Sequence, residues 1–405
     1  MKAIRFNAPI PTYLLTRAAG ALSKSLFTGA HACTRYGEMA APALPGERWV
    51  RLRTLMGGIC GSDLAVVTLS ASPSTSPFSS MPFVLGHENV GEVIETGSAV
   101  RSVRLGDRVV ANPLLACRAR GVVPPCTACA AGQPSRCVHF TDGAVPPGML
   151  IGTTRGLGGS WGEQYVAHED QLVAVPAAMS DEAAVLIEPL ACSVHAVRAD
   201  PPGAGERVLV IGAGSIGLLT VAALRAIAPA AEITALARHP FQGEQAARLG
   251  AARVVGSGGG AIPALAEVSG ARLLQPILGA PIAVGGFDRC YVCIGGRPGV
   301  EQALRFTRSG GRVTLLGNAT TLPGLDWSPV WLKELTVRGS VCYGSHAHGA
   351  GTRDAFREAA ELIAGDGCDV APLVTHVFPL ADYRRALAVA MDKGGSRSIK
   401  VALRP

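Results

Sequence analysis

Four apolar residues, Val208–Ile211, run into Gly212-Ala213-Gly214-Ser215-Ile216-Gly217 and then into a helix-forming stretch that Pro229 ends. No other feature restricts the fold of this chain as strongly. A buried strand that feeds a glycine turn and a helix lets the backbone approach a pyrophosphate, and the helix N-terminus favours the phosphate charge. A lone GxGxxG is a weak signal, but the segments that follow supply the context. Ile233–Ala237, Arg253–Val255, Cys290–Ile294 and Arg312–Leu316 are short apolar strands, with helical patterns at Gln242–Leu249 and Val300–Arg308 between them. Such alternation implies a doubly wound parallel sheet. Gly256–Gly260 and Leu273–Gly286 read as loops or insertions within it.

The turn assigns Gly212, Gly214, Ser215, Ile216 and Gly217 to a dinucleotide. An acid for the ribose 2′-hydroxyl is expected about 20 residues further on. Ala237-Arg238-His239 stand there instead. Arg238, with His239 beside it, suits a 2′-phosphate, so NADP is preferred and NAD stays open.

At 405 residues the chain exceeds the size at which a single core stops growing, which implies two domains. The half that precedes Glu188-Pro189-Leu190 is β-rich. Trp49–Leu55 alternates as a strand and runs into a turn, Gly57–Asp63; short strands follow over Val84–Val110 and Trp161–Val175. Ser70–Ser80 reads as a flexible surface loop, and the stretch between Arg5 and Val50 shows no usable pattern. The expected division is a catalytic, zinc-binding domain from 1–190 and 345–405, with a metal-binding lobe at about 112–141, and a dinucleotide domain from 191–344. Ile399–Leu403 is expected to pack back on the first domain.

Two sets of metal-ligating residues fall in that first domain. Cys60 and His87-Glu88, each beside glycine, offer a thiolate, an imidazole and a carboxylate. Three such ligands with one position open are what a catalytic Zn²⁺ needs. Glu188 sits in apolar surroundings, where an unpaired charge is costly, and competes with Glu88 for the same metal. Cys117, Cys126, Cys129 and Cys137 read as a closed structural zinc site, with His139 as a substitute for Cys117 across the loop Arg118–Pro125.

The net charge is +7, but no block of Lys/Arg with interleaved aromatics occurs, which argues against nucleic acid. The apolar uncharged run Val208–Leu224 is short for a membrane span and carries glycines, which argues against a membrane. The first 37 residues lack Asp and Glu, yet Met1–Phe6 already alternates like a strand rather than a transit peptide. Eleven cysteines without a secretory segment indicate a reducing, cytoplasmic setting.

The chain resembles the zinc-dependent medium-chain dehydrogenases, the alcohol, sorbitol and threonine dehydrogenase superfamily. The likeness rests on GGICGSD (57–63), VLGHENVGEV (84–93), LGDRVV (105–110), the cysteine cluster, IEPLACSVHA (187–196), VLVIGAGSIG (208–217), SGGRVTLLG (309–317), KELTVRGS (333–340) and IKVALRP (399–405). It implies an α/β protein: a GroES-like catalytic domain plus a Rossmann domain. It implies catalytic zinc on Cys60, His87 and either Glu88 or Glu188, the last in the form that the polyol and threonine branch carries. Ser62 matches the hydroxyl that contacts the substrate oxygen and passes its proton outward. Asp63 matches the carboxylate that orients the ligand histidine, and Lys400 a base near the cofactor pyrophosphate. The cysteine set matches the structural zinc lobe.

The resemblance further implies hydride transfer between a small-molecule alcohol or carbonyl and a nicotinamide cofactor, in a homodimer or homotetramer. There are departures: Ala65 stands where many relatives have a relay histidine, and the lobe carries an insertion after Cys117. The N-terminal 48 residues and Leu273–Gly286 are also longer than usual. The missing relay motivates an alternative, reduction of an activated C=C or C=N bond. A non-catalytic cofactor-binding protein is the remote third reading.

Overall fold

The computed structural model describes residues 1–348, 351–365 and 368–405. The chain divides into two compact units, Met1–Glu188 with Val370–Pro405, and Pro189–Asp369.

The second unit is built on six parallel strands, Arg207–Ile211, Glu232–Ala237, Arg253–Gly256, Phe287–Val292, Thr307–Leu315 and Thr336–Gly339. Numbered one to six along the chain, their order in the sheet is 3-2-1-4-5-6. This is the Rossmann order, and the glycine turn follows strand one where the order reverses. The helix Ser215–Ile227 is buried from Gly217 to Leu224, as its uninterrupted apolar sequence requires. The helix Arg297–Phe306 instead turns Val300, Ala303 and Leu304 inward at helical spacing, against Val292 and Val313 of the sheet. Leu273–Gly286, expected as a loop, holds an antiparallel hairpin that pairs Arg272–Leu274 with Ile282–Val284. Its tip leaves Ile277 and Leu278 exposed, so no apolar alternation signalled the strands.

The domain boundary falls later than the sequence implied. Residues 345–369 belong to the second unit, not the first. Ser345–His348 and Gly351–Asp354 pair there, and the helix Ala355–Ala364 is tied down by Glu358, whose buried carboxylate lies 2.5 Å from Nη2 of Arg198.

In the first unit the strand Trp49–Gly58 is central. Asn89–Thr96 pairs with it on one side, and Gln164–His168 and Lys400–Arg404 on the other. The C-terminal strand closes on the first unit as expected, with Ala402 opposite Gly58 and Leu403 opposite Gly57. Val50, Leu52, Val93, Val109 and Val166 form one core, and Ile4, Phe83, Leu85, Trp161 and Leu387 another. Between the strands Lys2–Phe6 and Thr34–Glu38 lies the helix Ile10–Leu22, which buries only Thr16 and Gly20. An inverted pattern of this kind, with leucines outward, hides a helix from sequence periodicity. The serine-rich stretch is an exposed 3₁₀ turn, Pro73–Phe78, capped by the Ser72 hydroxyl.

Candidate active site and metal centres

Gly57 and Gly58 end the central strand rather than forming a turn. Gly58 is needed there: a Cβ would come within 1.9 Å of a Glu88 carboxylate oxygen. The chain then reverses at Ile59-Cys60, and Cys60 caps the helix Gly61–Val67. Asp63, in the first turn of that helix, accepts the Cys60 N–H on Oδ2 at 2.9 Å. Its Oδ1 lies 3.3 Å from Nδ1 of His87. One carboxylate therefore fixes the backbone of the thiol ligand and faces the imidazole. Ser62 is half-buried in the same first turn.

His87 and Glu88 follow Gly86, whose φ of +93° only glycine adopts readily; a Cβ there would meet the Trp161 ring at 2.3 Å. Asn89, which sequence reasoning passed over, locks this corner. Its amide donates to the carbonyls of His87 (3.1 Å) and Ala111 (2.7 Å), while Oδ1 accepts from Ala111 N–H (2.8 Å) and the Tyr165 hydroxyl (2.7 Å). The available signal was a lone amide residue that opens a strand whose next residues are apolar or glycine.

The ligand atoms of Cys60, His87 and Glu88 all lie within 4.8 Å of one another. Ligands in a tetrahedral zinc shell stand roughly 3.5 Å apart, so little closure is needed. Burial pulls the His87 pKa down, but Asp63 and then Cys60 override it and hold it well above its ordinary value. Nδ1 of His87 is buried without a well-aligned hydrogen bond. A cation on the other ring nitrogen would fix the tautomer that donates to Asp63. This donor set fits zinc.

Lys400 departs from expectation. Its ammonium is buried in the first unit, 2.5 and 2.6 Å from the two oxygens of Glu88, and it also donates to the Ile59 carbonyl at 3.4 Å. Burial works against its charge, but Glu88, with Cys60 and Glu188, holds its pKa above the ordinary value. An ammonium engaged on all these groups neutralises Glu88 rather than serving a pyrophosphate. Glu188 is buried near the start of the helix Ile187–Arg198. It lies outside the close triad, yet near enough for Lys400 to feel its charge.

Cys117, Cys126, Cys129 and Cys137 converge with their sulfurs within 4.8 Å, those of Cys117 and Cys137 only 3.6 Å apart. Sulfurs on a tetrahedral zinc are about 3.8 Å apart, so the four fit a closed site. The Cys129 and Val138 N–H groups bring the Cys126 thiol down to about 6. The Cys126 and His139 N–H groups point at the sulfurs of Cys117 and Cys137, at 3.4 and 3.3 Å. The His139 ring is not a fifth candidate; Asp142 holds its Nδ1 at 2.6 Å.

In the second unit Gly212 has φ +94°, and a Cβ on Gly217 would come within 1.7 Å of the Gly212 carbonyl. Both glycines are therefore obligatory for the turn. Gly214 caps the helix Ser215–Ile227 without a side chain, which leaves this N-terminus suited to an anion. Arg238 is exposed just after the strand Glu232–Ala237, and His239 caps the next helix and stacks on Phe241 at 5.5 Å.

With this geometry in hand, comparison with known proteins is direct. Residues 46–177 match the alcohol dehydrogenase GroES-like domain, and residues 215–365 the zinc-binding dehydrogenase domain. The sorbitol dehydrogenase of Arabidopsis thaliana is 30% identical over 359 residues, 88% of each chain. The chain belongs to the zinc-dependent medium-chain dehydrogenases. The structure of 2R,3R-butanediol dehydrogenase from Bacillus subtilis superposes with a TM-score of 0.72, at 25% identity and over 100% and 99% of the two chains. A protein from Sinorhizobium meliloti 1021, described as a zinc-binding dehydrogenase bound to NADP, gives 0.68 at 26% identity over 92% and 95%. As a family member the chain is a zinc-containing, nicotinamide-linked oxidoreductase that acts on CH–OH groups. Among the described residues no helix is long and apolar enough to cross a membrane.

Proposed function

We propose that this dehydrogenase interconverts a secondary alcohol of a polyol or related small molecule and its carbonyl, with NADP preferred over NAD. The observation that carries the reading is the buried Cys60–His87–Glu88 triad with Asp63 behind it. Cys60, His87 and Glu88, with Glu188 in reserve, would hold the zinc; when bound, it polarises the substrate oxygen as a Lewis acid. Asp63 orients His87, and Lys400 offsets the charge of Glu88 so that the carboxylate can stay buried. The Ser62 hydroxyl takes the proton that leaves the substrate hydroxyl. With Ala65 in place of a relay histidine, that proton reaches solvent through water. A nicotinamide cofactor, when bound, would supply the hydride acceptor, so that one alcohol and NADP⁺ would give one carbonyl, NADPH and a proton.

Gly212, Gly214, Ser215, Ile216 and Gly217 would hold the pyrophosphate, and Arg238 with His239 would receive a 2′-phosphate. The polyol assignment is supported by the sorbitol and butanediol dehydrogenases among its relatives. A cytoplasmic, homodimeric or homotetrameric enzyme is the companion proposal; the grouping of four cysteines at metal-ligand distances supports the reducing compartment. A panel of sugars, polyols, amino alcohols and aldehydes, run with NAD and NADP, tests the assignment. The expected result is NADP-linked turnover of a secondary alcohol that Cys60→Ser abolishes. Undiminished turnover in both Cys60→Ser and Glu188→Ala would remove the metal from the reaction.

A further inference from the structure

The loop that separates Cys117 from Cys126 carries a guanidinium with no solvent exposure, that of Arg120. It donates to the backbone carbonyls of Leu115 (2.9 Å), Asp142 (2.6 Å), Val145 (3.0 Å) and Pro146 (3.0 Å), and also to that of Gly148. The Arg120 carbonyl in turn lies so close to Gly143 that a Cβ there would come within 2.3 Å of it. The cage is thus built from both ends of the lobe.

Carbonyls satisfy the N–H groups of a guanidinium but not its net charge, and a buried charge without a counter-ion is costly. Among the described residues no carboxylate forms an ion pair with Arg120; the Asp142 carboxylate is turned to His139 and Thr141. Burial lowers the Arg120 pKa, and Cys137, Asp142 and Cys117 pull it back. With a metal bound, the buried sulfurs of Cys117 and Cys137 would add thiolate charge in the same lobe as Arg120, beside that of Asp142. Conversely, a divalent cation held by four thiolates leaves two negative charges in the lobe.

We propose that Arg120 is the counter-charge of the tetrathiolate metal site, held in place by a carbonyl cage that the long Cys117–Cys126 loop provides. The inference rests on reading Cys117, Cys126, Cys129 and Cys137 as a metal site. It makes Arg120 a positioning residue for the metal, remote from the reaction.

The test is zinc affinity by chelator competition on the full chain, with Co²⁺ substitution to report the thiolate shell. Arg120→Lys keeps the charge with fewer donors, Arg120→Gln keeps amide donors without the charge, and Arg118→Gln is the exposed control. Absence of a thiolate-to-cobalt band in the wild-type protein would overturn the metal reading and the proposal with it. Given that band, Arg120→Gln is expected to weaken zinc binding roughly 10–100-fold, with Arg120→Lys and Arg118→Gln close to wild type. Wild-type affinity in Arg120→Gln, or equal loss in Arg120→Lys, would contradict the proposal. If Arg120→Gln does not fold, Arg120→Lys decides alone: near-wild-type affinity supports the counter-charge and a loss of about tenfold overturns it.

Discussion

Nζ of Lys400 lies 2.5 and 2.6 Å from the two carboxylate oxygens of Glu88, and both side chains are buried. The C-terminal strand thereby reaches the metal-binding corner through one charge pair. Lys400 supplies the charge that compensates the Glu88 carboxylate, buried beside Cys60 and His87.

Removal of Lys400 leaves a buried, unpaired carboxylate. Lys400→Met is expected to cost about 3–5 kcal/mol, because breaking a buried pair strands its partner. The double variant Lys400→Met/Glu88→Gln should recover most of that loss. Thermal or urea unfolding of the three proteins measures it; a double variant as unstable as the single one would speak against the pairing.

Asp63 touches both ends of the ligand pair, through the Cys60 N–H and His87 Nδ1. Asp63→Asn keeps the shape and removes the charge, so the affinity of the catalytic zinc should fall roughly 10–100-fold. Zinc content after chelator dialysis reads this directly. The cysteine-cluster zinc serves as the internal reference and should be unaffected.

These sites differ in how far the sequence disclosed them. The grouping of Cys60 with His87, and of the four cysteines, was legible because few residues can serve as soft ligands; Gly61 and Gly86 marked the first pair further. The glycine turn after Val208–Ile211 was legible for the same reason, since only glycine fits at Gly212 and Gly217. The role of Lys400 was not: the side a strand residue faces depends on register, here Ala402 opposite Gly58, which sequence alone does not fix. Arg120 was hidden in a loop that read as an interruption of the cluster. The helix Ile10–Leu22 was hidden because its leucines face outward, and the 345–369 boundary because the Arg198–Glu358 pair joins residues far apart in the chain.

Arg238 is exposed at the end of a parallel strand, where the ribose of a bound dinucleotide would lie. Loss of charge-assisted hydrogen bonds costs about 1.5–3 kcal/mol. Arg238→Ala should therefore raise KM for NADP roughly 10–100-fold and leave KM for NAD nearly unchanged. Equal changes for both cofactors would remove Arg238 from the 2′-phosphate site.

Glu169 gives the fold a pH dependence of definite sign. Burial raises its pKa, but the backbone N–H of Arg101, the Arg48 guanidinium and the Ser102 N–H outweigh that and bring it from 4.5 to about 2. A carboxyl lowered on folding contributes stability above its unfolded value, and that contribution disappears as pH falls from 4.5 towards 2. Glu169→Gln should thus lower Tm at pH 7 and have little effect near the acid end of that window. A Tm difference independent of pH would contradict the assignment.

Anomalous scattering at the zinc edge, from crystals of the protein as purified, tests the metal centre most directly. The expected result is one peak enclosed by Cys60, His87 and a glutamate, and a second within the Cys117–Cys126–Cys129–Cys137 cluster. The first peak would also show whether Glu88 or Glu188 completes the shell. Fully occupied zinc in the cysteine cluster with no metal between Cys60 and His87 would contradict a zinc-dependent reaction at this site.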